Sequence, residues 1–217
     1  MASIVTMTPA ELAVAWKSQA IAAGFTLAGI APAVAPPGFP RLQSWLAAGY
    51  HGTMQYLPRR EAAYQDPARV LTGVRSVLMV AANYRPDDLT PDRAAGVPQV
   101  AAYAHGPRDY HTVLRERLQP VADWLHAQRP GCRTRIVVDT APLLERDFAR
   151  LAGLGWFGKN TLLINKRAGS LLLLAGLLTD VELTPDAPHE TTHCGTCTRC
   201  LELCPTAAFP EPGVLDA

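Results

Sequence analysis

Apolar positions along the chain fall into two rhythms, one of period two or continuous and one near three and a half. Ser76 to Ala82 (Ser-Val-Leu-Met-Val-Ala-Ala) is an unbroken apolar run of strand length, and Ser170 to Thr179 is another. Such runs belong to strands covered on both faces, so the sheet they form is expected to be sandwiched. Arg135 to Asp139 reads as the clearest buried strand, Phe25 to Ile30 as a short one, and Val100 to Ala104 as a further candidate after a polar loop around Pro86 to Pro98. Helical spacing governs the rest. Thr8-Pro9-Ala10-Glu11 is a capping box that opens an Ala-rich helix running to about Gly24. Arg41 to Ala48 and Leu143 to Leu151 are shorter helices. Asp109 to Arg129 is a long one, with Val113, Leu114, Leu118, Val121 and Leu125 near one face and Pro130-Gly131 as its stop. Pro-rich residues 31–40 are a connector, and residues 153–165 read as a Gly-rich loop.

With 48% hydrophobic and 18% charged residues over 217 positions, the chain is expected to bury a core large for its surface. A net charge of +1 gives no global pull toward nucleic acid or anionic lipid, so any such contact has to come from a local patch. Leu171 to Leu178 is the longest apolar run, too short for a membrane span, and no basic segment leads into an apolar stretch after Met1. The expectation is a chain without membrane contact in a reducing compartment, most simply a monomer in the cytoplasm.

The most specific chemical signal is Cys194, Cys197, Cys200 and Cys204, followed by Pro205. This C-x2-C-x2-C-x3-C-P spacing is the run by which bacterial-type ferredoxins bind a 4Fe–4S cubane. A zinc site is the alternative, but zinc usually takes its ligands as two separated pairs rather than from one stretch. Asp139 ends its strand at the edge of the apolar core, where burial would raise its pKa and make it a usable proton donor. The same pattern fits an aspartate that caps the next helix or pairs with Arg146. Glu145 and Arg146 read as surface helix charges. Gly153 to Asn160 matches neither dinucleotide nor phosphate glycine loops; its glycines fit close approach to a flat ligand, and equally a tight loop with Trp156 and Phe157 packed inward. Tyr103, Tyr110 and His111 could line a pocket. Arg59, Arg60, Lys166 and Arg167 could touch phosphates or be merely exposed, and Cys132 reads as an inert thiol.

Four ordered segments, Tyr103 to His111, Val138 to Arg146, Gly153 to Asn160 and the cysteine run, together resemble the epoxyqueuosine reductase family over nearly the whole chain from about Gly24. One departure is His105-Gly106-Pro107, where the family more often has a basic residue and no proline. The resemblance implies an α/β (α+β) architecture: a cobalamin-binding body with a sandwiched mixed sheet over residues 1–184, then a small ferredoxin-like iron–sulfur module over 185–217. It implies reduction of epoxyqueuosine to queuosine at the wobble position of tRNA, the last step of queuosine synthesis, with electrons from an unidentified donor. Base-off cobalamin, as cob(II)alamin, would be bound by Tyr103, Tyr110, His111, Arg146, Gly158, Lys159, Asn160 and Thr161. Asp139 would be the proton donor, and Cys194, Cys197, Cys200 and Cys204 the metal ligands. The family carries two 4Fe–4S clusters, which need more thiolates than the five cysteines here, so the chain is expected to be truncated at its C-terminus and to lack ligands for both. The rival readings are a reductive dehalogenase-like corrinoid enzyme and a non-catalytic iron–sulfur electron-transfer module.

Overall fold

A computed structural model describes residues 7–84 and 100–217. The chain runs α1 (Pro9–Ala22), β1 (Leu27–Pro32), α2 (Phe39–Ala47), α3 (Tyr56–Arg59), α4 (Glu61–Gln65), β2 (Ser76–Asn83), α5 (Tyr110–Gln128), β3 (Thr134–Val137), α6 (Glu145–Leu151), β4 (Trp156–Phe157), β5 (Leu163–Ile164), β6 (Leu172–Thr179) and α7 (Arg199–Glu202). The strands β1, β2, β6 and β3 lie side by side in that order, and β4 pairs with β5 in a separate hairpin. All three pairings of the larger sheet are antiparallel, from Ile30 opposite Leu78 to Leu78 opposite Leu177 and Ile136 opposite Leu177. The expected α+β class and the sandwiched sheet hold, but the sheet is antiparallel throughout rather than mixed.

Period-two alternation on the central strands explains the two layers. Leu78 and Val80 of β2 and Leu177 of β6 face α1 and α5, where they pack with Leu12, Trp16, Leu114, Leu118 and Leu125. Val77, Met79 and Ala81 face the opposite way, onto Phe148 and Ala149 of α6 with Leu143, Leu154 and Leu163. Both faces are dry, as the continuous apolar runs require. Trp16, fully buried, also spends its indole N–H on the Val121 carbonyl at 3.0 Å, fixing α1 across α5. The capping box forms as read, with Thr8 and Glu11 bonding reciprocally.

Three expectations are corrected. Val100 to Ala104 is not a strand: Ala102–Ala104 is a largely exposed 3-10 turn, and among the described residues no strand offers it a ladder partner. The polar loop of residues 86–98 lies outside the described residues. Next, β3 is an edge strand whose side chains alternate between half-covered and exposed until Val137, so it is not the most buried of the set. Finally, residues 153–165 are not a plain loop but contain the β4–β5 hairpin.

Two contacts carry the fold toward its chemistry. Asp147 of α6, buried by burial pressure that pushes its carboxyl up, accepts the N–H of Gly38 at 3.1 Å and so supplies the cap that α2 lacks. Residues 185–189 are a strap fastened to the body: Asp186 accepts the Ile30 N–H at 2.8 Å and pairs with Lys17, and His189 donates its N–H to Arg150. No helix among the described residues is long and apolar enough to cross a membrane.

Candidate active site

Asp139 stands two residues past the end of β3 with φ of 54°, a left-handed conformation that costs an L side chain about 1–2 kcal/mol. The neighbours hold it there. Its backbone N–H donates to Glu145 Oε1 at 2.8 Å, and Glu145 is the first residue of α6. Thr140 is gripped by Arg60, which donates to its carbonyl at 3.2 Å, and by Arg115, which donates to its hydroxyl at 3.3 Å. The loop is therefore tied to α6, α5 and the end of α3 at once.

The Asp139 side chain is 63% exposed, and its Oδ2 lies 3.3 Å from Nε2 of His111. The other ring nitrogen of His111 lies 2.7 Å from Asp109 Oδ1, and Asp109 also caps α5 by accepting the His111 backbone N–H. Those bonds from His111 hold the Asp109 carboxyl below its usual range. Tyr110 stacks on His111 with ring centroids 4.0 Å apart and meets Tyr103 edge-on at 6.1 Å; Tyr103 meets Tyr84 likewise at 6.4 Å. Burial first, then the Asp139 and Glu145 charges, push the Tyr110 phenol up to about 12, so it stays protonated.

Desolvation was expected at Asp139 and is found at Glu145 instead. Loss of water raises the Glu145 carboxyl to about 8; the Asp139 charge pushes the same way, while the Asp139 N–H and Arg146 pull back. Glu145 is thus not the surface helix charge its sequence context suggested, and Asp139 neither caps α6 nor pairs with Arg146. A linkage follows. The unfolded glutamate loses its proton near pH 4.3 and the folded one near 8, so stability falls as pH rises between those values. Glu145→Gln keeps an oxygen for the Asp139 N–H and cannot ionise. Its urea midpoint should match the wild type near pH 4 and exceed it at pH 8, by on the order of a few kcal/mol at most. Parallel pH profiles for the two proteins would refute the linkage.

The hairpin holds the next group of expected site residues. Gly158 donates to Leu162, Thr161 donates to Gly158, and Leu162 donates to Asn160 Oδ1 at 3.3 Å, closing a tight turn in which Thr161 takes φ of 65°. A Cβ on Gly155 would sit 2.2 Å from the Ile164 carbonyl, and one on Gly158 2.4 Å from Asn160 Oδ1. These glycines serve closure of the hairpin itself, so the tight-loop reading holds for them. Trp156 is buried as that reading required, stacked on His189 at 5.6 Å and edge-on to His193 at 4.7 Å. Arg146 donates to the Thr161 carbonyl at 2.6 Å, and Lys159 donates to the carbonyls of Gly195 and Cys197 at 2.8 and 2.9 Å.

Those contacts join three regions: the Asp139 loop, the hairpin turn and the cysteine segment. In the last, Cys197 N–H bonds the Cys194 carbonyl at 2.9 Å in a turn where Gly195 takes φ of 48°. Cys200 lies on α7, and Cys204 Sγ accepts the Ala208 N–H at 3.4 Å. The Thr206 hydroxyl and nearby amides pull the Cys204 thiol below its ordinary range, which favours the thiolate a metal takes. All five cysteines are free, and Cys132 packs apart from the rest against the α1–α5 core, its thiol pushed up by burial. Among the described residues no three His, Cys, Asp or Glu side chains converge to hold a single metal ion. The donor set is four thiols on one segment: Cys194, Cys197 and Cys200 suit three corners of one cubane in kind, and the fourth cysteine of such a run ligates a second. The fifth thiol, Cys132, packs against the α1–α5 core away from them. A corrinoid is matched by the aromatic shelf of Tyr103, Tyr110 and His111 beside Asp139 and by the turn at residues 158–161; the glycines do not form a slot for it.

Sequence reasoning missed Glu145, Asp109 and Tyr84. The Asp-x-His spacing at 109–111 was a readable signal for the second; nothing local marked the others.

A family model described as "Epoxyqueuosine reductase QueG, DUF1730" matches residues 65–140. An epoxyqueuosine reductase of Gloeobacter violaceus is 48% identical over 93% of this chain and 62% of its own length. One of Pseudomonas aeruginosa is 40% identical over 96% of this chain and 58% of its own. A crystal structure of epoxyqueuosine reductase with an epoxyqueuosine-modified tRNA stem loop superposes with a TM-score of 0.79 at 29% identity, over 94% of this chain and 54% of that one. A reductive dehalogenase shares the fold alone, with a TM-score of 0.52 at 16% identity. The chain spans about three fifths of the length of these curated relatives. By sequence and by fold, the chain is similar to the epoxyqueuosine reductases over nearly its whole length.

Proposed function

We propose that this chain carries the reducing half of an epoxyqueuosine reductase: a cytoplasmic oxidoreductase that converts epoxyqueuosine in tRNA to queuosine, with Asp139 as proton donor. The observation that carries the reading is the placement of Asp139, a side-chain carboxyl presented to solvent on a strained, triply braced turn beside an exposed aromatic shelf. A side chain held this way has a fixed direction and an open front, as proton transfer to a bulky substrate requires.

Cobalamin supplies, when bound, the two-electron reduction at the epoxide carbon, fed by iron–sulfur electrons from an external donor. Tyr103, Tyr110, His111 and the turn at Gly158, Asn160 and Thr161 would hold it, with Arg146 and Lys159 acting through that turn and through the cysteine segment. Cys194, Cys197, Cys200 and Cys204 of a module over residues 185–217 would hold the cluster. The chain's own part is orientation and proton supply. Asp139 protonates the epoxide oxygen as its carbon–oxygen bond breaks, and the oxygen departs as water. Tyr110, with its phenol held protonated, donates without becoming charged and keeps the Asp139 side chain oriented.

The test is direct. The chain is reconstituted anaerobically with iron, sulfide and cobalamin, then given a chemical reductant and an RNA stem loop bearing epoxyqueuosine. The modified nucleoside should lose one oxygen atom by mass spectrometry. Turnover of a halogenated phenol with no change in the RNA would overturn the proposal in favour of a dehalogenase-like activity.

A further inference from the structure

Converting an epoxide to an alkene consumes two electrons and two protons: one C–O bond breaks and the oxygen takes a proton, then the second breaks and the hydroxyl takes another to leave as water. A single carboxylic acid carries one proton. The need for a second store rests on the reaction assigned above, and the geometry around Asp139 supplies one.

Both ring nitrogens of His111 face carboxylate oxygens, Nδ1 with Asp109 Oδ1 at 2.7 Å and Nε2 with Asp139 Oδ2 at 3.3 Å. A neutral imidazole has one donor nitrogen and one acceptor. With Nδ1–H held by Asp109, the Nε2 contact to a carboxylate exists only if a proton lies between them. Asp109 has no other evident task at that nitrogen than to fix the tautomer and the ring plane, as the buried aspartate does for a catalytic histidine in acyl transfer. Stacking on Tyr110 at 4.0 Å and 26° restricts the ring further, and the His111 side chain is only 22% exposed. Both flanking carboxylates are open to water, so the group can be recharged between turnovers.

We propose that His111 stores the second proton of the reaction and passes it from Nε2 to Asp139 Oδ2, so that the Asp139–His111 pair enters each turnover with both protons it will consume. After Asp139 gives its proton to the epoxide oxygen, it stands as a carboxylate against Nε2–H. That proton crosses to Oδ2, His111 is left neutral with Nδ1–H on Asp109, and Asp139 is again an acid for the departing hydroxyl. His111 is on this view a relay residue acting through Asp139, not a group that touches the reacting atoms. The charged or titratable groups that face it are Asp109, Asp139, the Tyr110 phenol and, one turn along α5, the Arg115 guanidinium that bonds Thr140.

His111→Ala and His111→Gln separate storage from shape, each scored against the wild-type rate on the modified stem loop. His111→Gln keeps a neutral hydrogen-bonding side chain but holds no transferable proton. Both variants should lose about tenfold or more in kcat with KM for the RNA unchanged within about twofold. Added imidazole should restore part of the His111→Ala rate, and the rescue should fade as pH rises above about 7 and imidazole loses its proton. Cobalamin uptake, read from its absorption spectrum, should match the wild type in His111→Gln, whose side chain still fills much of the ring's place. Full activity in His111→Gln, or no imidazole rescue of His111→Ala molecules that still take up cobalamin, would overturn the proposal. Failure of the assigned reaction shows in the wild type; failure of the proton store shows only in the variants.

Discussion

Asp139→Asn should lower turnover of epoxyqueuosine in RNA by about 10²- to 10⁴-fold, the range a positioned general acid contributes. Little else should change. The side chain is 63% exposed and is no part of either core layer, so no cavity is left and no apolar surface is uncovered. The left-handed φ of 54° suits asparagine at least as well as aspartate. The backbone N–H that Glu145 accepts is untouched, as are the bonds from Arg60 and Arg115 to Thr140. The amide even retains a hydrogen-bonding partner for His111, but it has no proton to transfer. Thermal midpoint and cobalamin absorption should therefore match the wild type while the product signal falls. Turnover within about threefold of the wild type, with both controls unchanged, would remove Asp139 from the chemistry.

What could be read from residue order alone was whatever local pattern dictates. The apolar runs of β2 and β6 required burial on both faces, and they have it. The capping box of α1 and the apolar stripe of α5 needed no tertiary knowledge either. Three features were settled elsewhere. The short pattern of β3 could not reveal that its one neighbour is β6, which leaves it an edge and leaves Asp139 in water. Val100 to Ala104 has strand composition but, among the described residues, no strand to pair with. The glycines at 155 and 158 looked like room for a ligand; their α-protons are pressed against Ile164 and Asn160, a fact that depends on the register of the hairpin.

For the site, the resemblance put a set of residues forward, and the structure sorts them by the contacts they make. Tyr103, Tyr110 and His111 gather at Asp139. Gly158, Asn160 and Thr161 build a turn, and Arg146 and Lys159 serve as ties on either side of it. Glu145 reads as a surface charge because a glutamate opening a helix is ordinarily solvated and favourable there. Here that position is folded back under the Asp139 loop, and burial outweighs the helix terminus.

Phe148→Ala should be the most damaging single truncation near the site, because one ring supports both the sheet and the helix that braces the Asp139 loop. Phe148 is fully buried at the centre of α6, among Val137, Leu143, Leu154 and Leu178 of the second core layer. Removing a buried phenyl ring costs about 3–5 kcal/mol through lost transfer energy and the cavity left behind. Against a total stability of about 5–15 kcal/mol this is a large share, and the thermal midpoint should drop by about 10 °C or more. The loss should not stop at stability. Glu145 stands one turn before Phe148 on the same helix, and Asp147 beside it caps α2. A helix free to settle into the cavity moves the Glu145 carboxyl that holds the Asp139 N–H, so turnover per folded molecule should fall as well. Phe148→Leu separates the two effects: it keeps most of the volume, should cost less, and should retain more of the rate. If Phe148→Ala molecules that are demonstrably folded turn over RNA as fast as the wild type, α6 does not position Asp139 and the bracing assigned to Glu145 is dispensable.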